Sequence, residues 1–151
     1  YGNANSIAGG KTPLSSMSPS IVLKDKKPYL AIGSAGGPRI ITGTLQVIIN
    51  AIDFDMNPEQ LVNAPYVNCL TREQGLEAEF GISQDTLRLL EERGHKPVCI
   101  EADQAMSTMV NSVMLKDGEY YAAGTKRVDG CGGVLLSNGN IILEGISQEI
   151  S

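Results

Sequence analysis

Two short stretches of this chain have the residue types and spacing that acyl chemistry uses. In the first, Gly33-Ser34-Ala35-Gly36-Gly37-Pro38-Arg39 joins a strand-like run, Tyr29-Leu30-Ala31-Ile32, to an apolar helical run over residues 40–54. Adjacent glycines lack the Cβ atoms that would block a positive φ or a close ligand. Pro38 suits the first helical turn, where a missing N–H costs nothing. The backbone N–H groups of Gly36 and Gly37 are therefore expected to point free at the positive end of a helix. Such a turn can hold an anion or a developing oxyanion. The same residues also allow an ordinary strand-to-helix turn with no ligand. A P-loop is excluded, because no Lys-Ser/Thr pair follows the glycines. A looser phosphate-binding role for Gly36-Gly37 stays open but is the weaker reading.

The second stretch is Leu14-Ser15-Ser16-Met17, bracketed by Pro13 and Pro19. Read alone, it is a serine turn before a strand. His95 is the one histidine, and it falls just after a predicted helix end. A surface or last-turn role fits it better than catalysis. Any Ser/His or Cys/His relay would depend on that residue alone.

The bulk numbers bound what these stretches can serve. A length of 151 residues is one domain's worth of chain, long enough for a real core. At 42% hydrophobic and 19% charged the chain is globular. A net charge of −5 leaves no basic stripe for nucleic acid or for an anionic membrane surface. No apolar run has the length of a membrane span, and no signal-peptide pattern is seen. Cys69, Cys99 and Cys131 are far apart and odd in number, which is neither a disulfide framework nor a metal cluster. They are expected to be buried small apolar residues, with a single disulfide left open.

The elements that must position the two stretches follow in chain order. Residues 1–19 form a long loop. Residues 20–32 read as a hairpin whose charged turn is Lys24-Asp25-Lys26-Lys27. The helix over 38–54 carries Ile41, Leu45, Ile48, Ile49 and Ile52 on one stripe, widened by Ile40, Val47 and Ala51. That pattern predicts a buried helix packed on the sheet. Asp53 and Asp55 close it as solvated carboxylates. Asn57, Pro58 and Gln60 form a capping box for a second helix, which Pro65 stops. Strands are predicted over 66–70 and 76–80, the latter with Glu77 and Glu79 alternating with apolar neighbours. Ser83 caps a third helix with Ile82 and Leu87 as staple, and Gly94 ends it. Strands over 96–100, 109–115, 119–123, 130–136 and 141–143 follow, with turns at Lys116-Asp117-Gly118 and Asn138-Gly139. Two strands, then helices, then antiparallel strands favour a layered α+β sandwich over a doubly wound sheet.

Several of these segments, in this order, resemble the C-terminal part of a gamma-glutamyltranspeptidase, of the N-terminal-nucleophile hydrolase superfamily. The likeness rests on residues 13–22, on Gly33-Ser34-Ala35-Gly36-Gly37-Pro38-Arg39-Ile40-Ile41-Thr42, and on the helix through Ile52-Asp53. Residues 81–95 and Lys126-Arg127-Val128-Asp129-Gly130 agree more loosely. It extends from about Ala8 to Leu135.

The resemblance implies part of a four-layer αββα sandwich with mostly antiparallel strands. Residues 1–151 would be a single domain, the C-terminal portion of the small subunit, with 1–19 as the loop carrying the Ser-Ser motif. It implies that the Ser15 and Ser16 hydroxyls hold the α-carboxylate of a γ-glutamyl group, a role short donors on a fixed loop suit. It implies that the Gly36 and Gly37 amides form an oxyanion hole. The activity implied is transfer or hydrolysis of γ-glutamyl groups, from glutathione and related amides, through an acyl-threonine intermediate. No metal or organic cofactor is called for. The nucleophile, an N-terminal threonine whose α-amine is the base, would lie on a segment upstream of Tyr1. An arginine for the substrate carboxylate would come from the large subunit. Thr12, Thr42 and Thr44 are internal and lack the context to replace the nucleophile. This chain by itself is therefore expected to be inactive, with open sheet edges, exposed apolar surface and a tendency to self-associate. Tyr66-Val67-Asn68-Cys69-Leu70 stands where the family often carries an Arg and His-rich segment, which leaves the subtype open. Two other readings remain: a non-catalytic binding or structural domain on the same scaffold, or a related amide hydrolase acting on poly-γ-glutamate or a cephalosporin side chain. The family suggests an exported protein, with a cytoplasmic one still compatible; the odd cysteine count does not support an oxidising compartment.

Overall fold

The computed structural model describes residues 4–71, 73–100, 108–128 and 130–143; Asp129 of the loosely matching segment lies outside the described residues. Strands β1 (Ser20–Lys24) and β2 (Lys27–Ala35) form the first hairpin. A short 3-10 turn, Gly37–Arg39, leads into α1 (Ile40–Ile52), and α2 (Pro58–Asn63) follows. Next come β3 (Val67–Asn68), β4 (Leu76–Glu79), α3 (Gln84–Glu92) and β5 (Pro97–Ile100). The described chain closes with β6 (Met109–Lys116), β7 (Glu119–Gly124), a 3-10 turn Lys126–Val128, β8 (Gly132–Leu135) and β9 (Ile141–Leu143).

Six strands form one antiparallel sheet in the order β1-β2-β6-β7-β8-β9. The remaining three form a second sheet, β3-β4-β5, in which β4 and β5 are parallel. Parallel neighbours need a crossover, and α3 supplies it. The fold is thus α+β and mostly antiparallel, as the order of sequence signals predicts. The strand predicted over 66–70 shrinks to two residues.

The local chemistry explains the helix ends. Gln60 N–H donates to Asn57 Oδ1 at 2.9 Å, and Asn57 N–H donates to Gln60 Oε1 at 3.0 Å, a complete capping box. Thr86 N–H donates to Ser83 Oγ at 3.2 Å. Asp53 N–H donates to Ile49 O at 2.8 Å to close α1.

The core lies between one face of the large sheet and the two helices α1 and α2. Leu30 and Ile32 of β2, Val110 and Met114 of β6, and Ala123 of β7 meet Val47, Ala51, Leu61, Val62 and Tyr66 there. Every second strand residue points inward, the period of a sheet covered on one side.

Two expectations are overturned. The helix α1 buries Ile40, Gly43, Thr44, Val47 and Ala51, whereas Ile41, Leu45, Ile49 and Ile52 face outward. Ile40, Val47 and Ala51 of the expected face are buried and Ile48 packs against the core, but the helix has no charged residue to mark its wet side, so the apolar period centres the stripe wrongly. Packing sets the centre: a Cβ on Gly43 would sit 2.0 Å from Thr108 Cγ2, so only glycine allows this close approach. Second, Cys69, Cys99 and Cys131 are free and exposed rather than buried. They flank or lie on short strands of the small sheet and the β7–β8 connection, away from the core.

Candidate functional site

The register of the first hairpin decides what the two motifs can do together. Ser20 pairs with Ile32 across the antiparallel β1–β2 ladder. Ser16 lies four residues before Ser20, and Gly36 lies four residues after Ile32. In an antiparallel pair those two directions coincide. Ser15-Ser16 and Gly36-Gly37 therefore leave the same end of neighbouring strands. Thr108 arrives at that end as well, because Met109 pairs with Ala35.

The turn itself is unusual. Gly36 has φ 141° and Gly37 φ 58°, both in the region that L side chains rarely adopt. Pro38 sits at the start of the 3-10 turn, and Arg39 N–H donates to Gly36 O at 3.3 Å. Among the described residues no backbone carbonyl accepts from Gly36 N–H or Gly37 N–H. These two donors open the 3-10 turn that runs into the 13-residue helix α1, whose N-terminal end favours negative charge.

The serines are less constrained. Ser15 is exposed and its Oγ accepts from Met17 N–H at 3.2 Å; Ser16 is half-buried and its carbonyl accepts from Ser18 Oγ at 3.0 Å. Met17 is exposed. Among the described residues neither serine hydroxyl bonds to the glycine turn, so the two motifs share an end of the sheet with no hydrogen bond between them. His95 is exposed just beyond α3, its N–H bonded to Leu90 O, remote in the chain from both motifs.

Sequence reasoning missed the polar network around Arg39, next to the turn. The Arg39 guanidinium makes a two-pronged contact with the Glu77 carboxylate, Nε to Oε2 at 2.7 Å and Nη2 to Oε1 at 2.5 Å. Asn68 Nδ2 donates to the same Glu77 Oε2 at 2.8 Å. Thr42 Oγ1 lies 2.7 Å from Asn68 Oδ1 and 3.1 Å from Arg39 O, and Thr108 Oγ1 donates to Arg39 O at 3.0 Å. The Arg39 hydrogen bond holds the Glu77 carboxyl below its ordinary range despite partial burial, and Asn68 adds to the effect. Glu77 in turn raises Arg39. The only sequence signal was a pair of glutamates alternating inside an apolar strand.

The chain has counterparts among known proteins. Residues 2–134 match the gamma-glutamyltranspeptidase family, and the chain belongs to that family. Among curated relatives it is 43% identical over 126 residues to a glutathione hydrolase proenzyme of Escherichia coli, covering 83% of this chain and 21% of that protein. It is 36% identical over 129 residues to an acylase ACY 1 proenzyme of a Pseudomonas strain, covering 85% and 22%. A crystal structure of a Helicobacter pylori gamma-glutamyltranspeptidase mutant superposes with a TM-score of 0.72 at 39% identity, over 84% of this chain and 69% of that one. The chain spans about a fifth of the length of the curated relatives it matches.

Proposed function

We propose that this chain is the C-terminal portion of the small subunit of an enzyme that transfers or hydrolyses γ-glutamyl groups, with glutathione and related γ-glutamyl amides as substrates. The threonine Oγ, on polypeptide outside this chain, adds to the γ-carbonyl carbon while its own α-amine takes the proton. The carbonyl oxygen becomes an oxyanion, which the Gly36 and Gly37 N–H groups stabilise. Collapse expels the amine, and water or an acceptor amine then releases the glutamyl group. Ser15 and Ser16 hold the substrate α-carboxylate through their hydroxyls.

The observation that carries this reading is the glycine turn: two consecutive residues of positive φ, with N–H groups that no carbonyl accepts from among the described residues, at the start of the 3-10 turn leading into α1 and at the end of the sheet where Ser15-Ser16 also emerges. The apolar surface left open supports a partner from the same precursor. On the large sheet's uncovered face Ile21 and Val113 line a trough of about 650 Å³, and Tyr120 and Leu135 are exposed on the same face. On α1, Ile41, Leu45 and Ile52 are each more than half exposed. Patches of this kind mark interfaces. The likeness to the Pseudomonas acylase keeps a second reading, a related amide hydrolase, in view.

The test uses the processed enzyme containing this chain and a γ-glutamyl anilide. The enzyme releases aniline, and this chain alone does not. Gly36→Ala lowers kcat by about 10²–10³-fold, the usual effect of disturbing one oxyanion donor. Ser15→Ala with Ser16→Ala chiefly raises KM. Equal turnover of an acyl amide lacking the α-carboxylate, unaffected by the serine changes, selects the acylase reading. Wild-type kcat in Gly36→Ala overturns the assignment of the turn. The isolated chain also binds an apolar fluorescent dye or self-associates; a dye-silent monomer contradicts the partner surface.

A further inference from the structure

An oxyanion hole works only if its donors are fixed before the charge develops. Two adjacent glycines are the least fixed backbone a chain can have. The β2–β6 ladder ends at Ala35, so pairing does not extend into the turn. Something downstream must hold it.

We infer that Glu77 of β4 is a positioning residue for the Gly36–Gly37 turn, acting through Arg39; this rests on the turn being the oxyanion hole. The polar contacts converge on Arg39. Arg39 grips Glu77 with two N–H groups, Glu77 accepts from Asn68, and the Thr42 hydroxyl lies within donating reach of Asn68 Oδ1 and of the Arg39 carbonyl. Thr108 bonds the same carbonyl from the start of β6. Arg39 is thus held at both main chain and side chain, and its N–H reaches back to Gly36 O. Gln46 keeps the small sheet in register with α1: its side-chain amide donates to Val67 O at 2.8 Å and accepts from Val67 N–H at 3.0 Å. The small sheet therefore serves as an external brace for a turn that glycine leaves soft. A fork of two charge-assisted bonds fixes direction as well as distance.

A merely structural role is separable, because β4 carries an internal control. Glu79 pairs with Arg127 and also ties the small sheet to the rest of the molecule, but among the described residues it makes no bond to the turn. The experiment compares Glu77→Ala, Glu77→Gln and Glu79→Gln in the processed enzyme, with kcat expressed per active site titrated by the aniline burst. Glu77→Ala lowers kcat about ten- to a hundredfold with KM within about twofold, since misplacement of about 1 Å has this cost. Glu77→Gln keeps the shape and one prong and recovers most of the loss. Glu79→Gln lowers the melting temperature but leaves kcat per site unchanged. A Glu77→Ala enzyme that melts earlier yet turns over normally per site overturns the inference, provided Gly36→Ala is crippled. If Gly36→Ala also turns over normally, the oxyanion assignment is what has failed. A Glu77→Ala effect confined to KM also overturns the inference, by assigning Glu77 to substrate binding.

Discussion

Glu77 and Glu79 lie two residues apart on β4, so their side chains leave the same face of the strand, and each takes an arginine. Their surroundings differ. Arg127 and Glu79 are 13% and 10% exposed, and the guanidinium also donates to Val62 O, Ala64 O and Thr125 Oγ1 while stacking 4.4 Å over the Tyr66 ring. Arg39 and Glu77 are 29% and 20% exposed, and the Arg39 main-chain N–H donates to Gly36 O of the glycine turn. One pair is sealed into the joint between α2, β4 and the end of β7. The other is half-open and adjoins the candidate site. The contrast teaches that one short strand can divide its polar residues between holding the fold and holding a backbone donor.

That contrast can be broken. The largest effect is expected from Glu79→Ala, which strands a buried guanidinium. The protein should lose about 3 kcal/mol, read by denaturant unfolding. A loss no greater than that of Glu77→Ala would erase the distinction between the two pairs. Tyr66→Phe is smaller. The hydroxyl donates to Leu61 O and Val62 O, and burial pushes its pKa upward so that it stays a donor. About 1 kcal/mol should be lost, with kcat per site untouched. The smallest effect concerns pH. Glu77 is held below its ordinary value, so its contribution is complete above the unfolded carboxyl's pKa and fades as pH falls toward the folded one. In Glu77→Gln the melting temperature should accordingly fall less steeply between about pH 5 and 3 than in the wild type. An unchanged slope would show the pair to be energetically silent.

Much of the architecture was legible locally. The capping box at Asn57–Gln60, the Ser83 cap, the left-handed Gly94 after α3 and the Asp117-Gly118 turn are each dictated by neighbours a few residues away. The strand-turn-helix around Gly36 was legible for the same reason. The α1 face was not, because a helix without charges carries apolar residues all round, and sequence periodicity cannot say which stripe meets the sheet. The exposure of the cysteines was not legible either, because residue type does not tell that each lies on or beside a short strand away from the core. Glu77 and Asn68 were invisible as a brace, since each is separated from Arg39 by dozens of residues and only the packing of the small sheet brings them there.

By itself the sequence determined where the chain turns, where its helices start and stop, and which family it belongs to. These depend on φ preferences, on caps and on contiguous motifs, all short-range. Tertiary structure alone decided that two serines and two glycines share one end of a sheet, and that the Glu77 carboxylate meets Arg39 beside the turn. It also decided that α1 presents Gly43 to Thr108 and leaves Ile41, Leu45 and Ile52 uncovered, because long-range packing rather than helical period sets which side of that helix is buried.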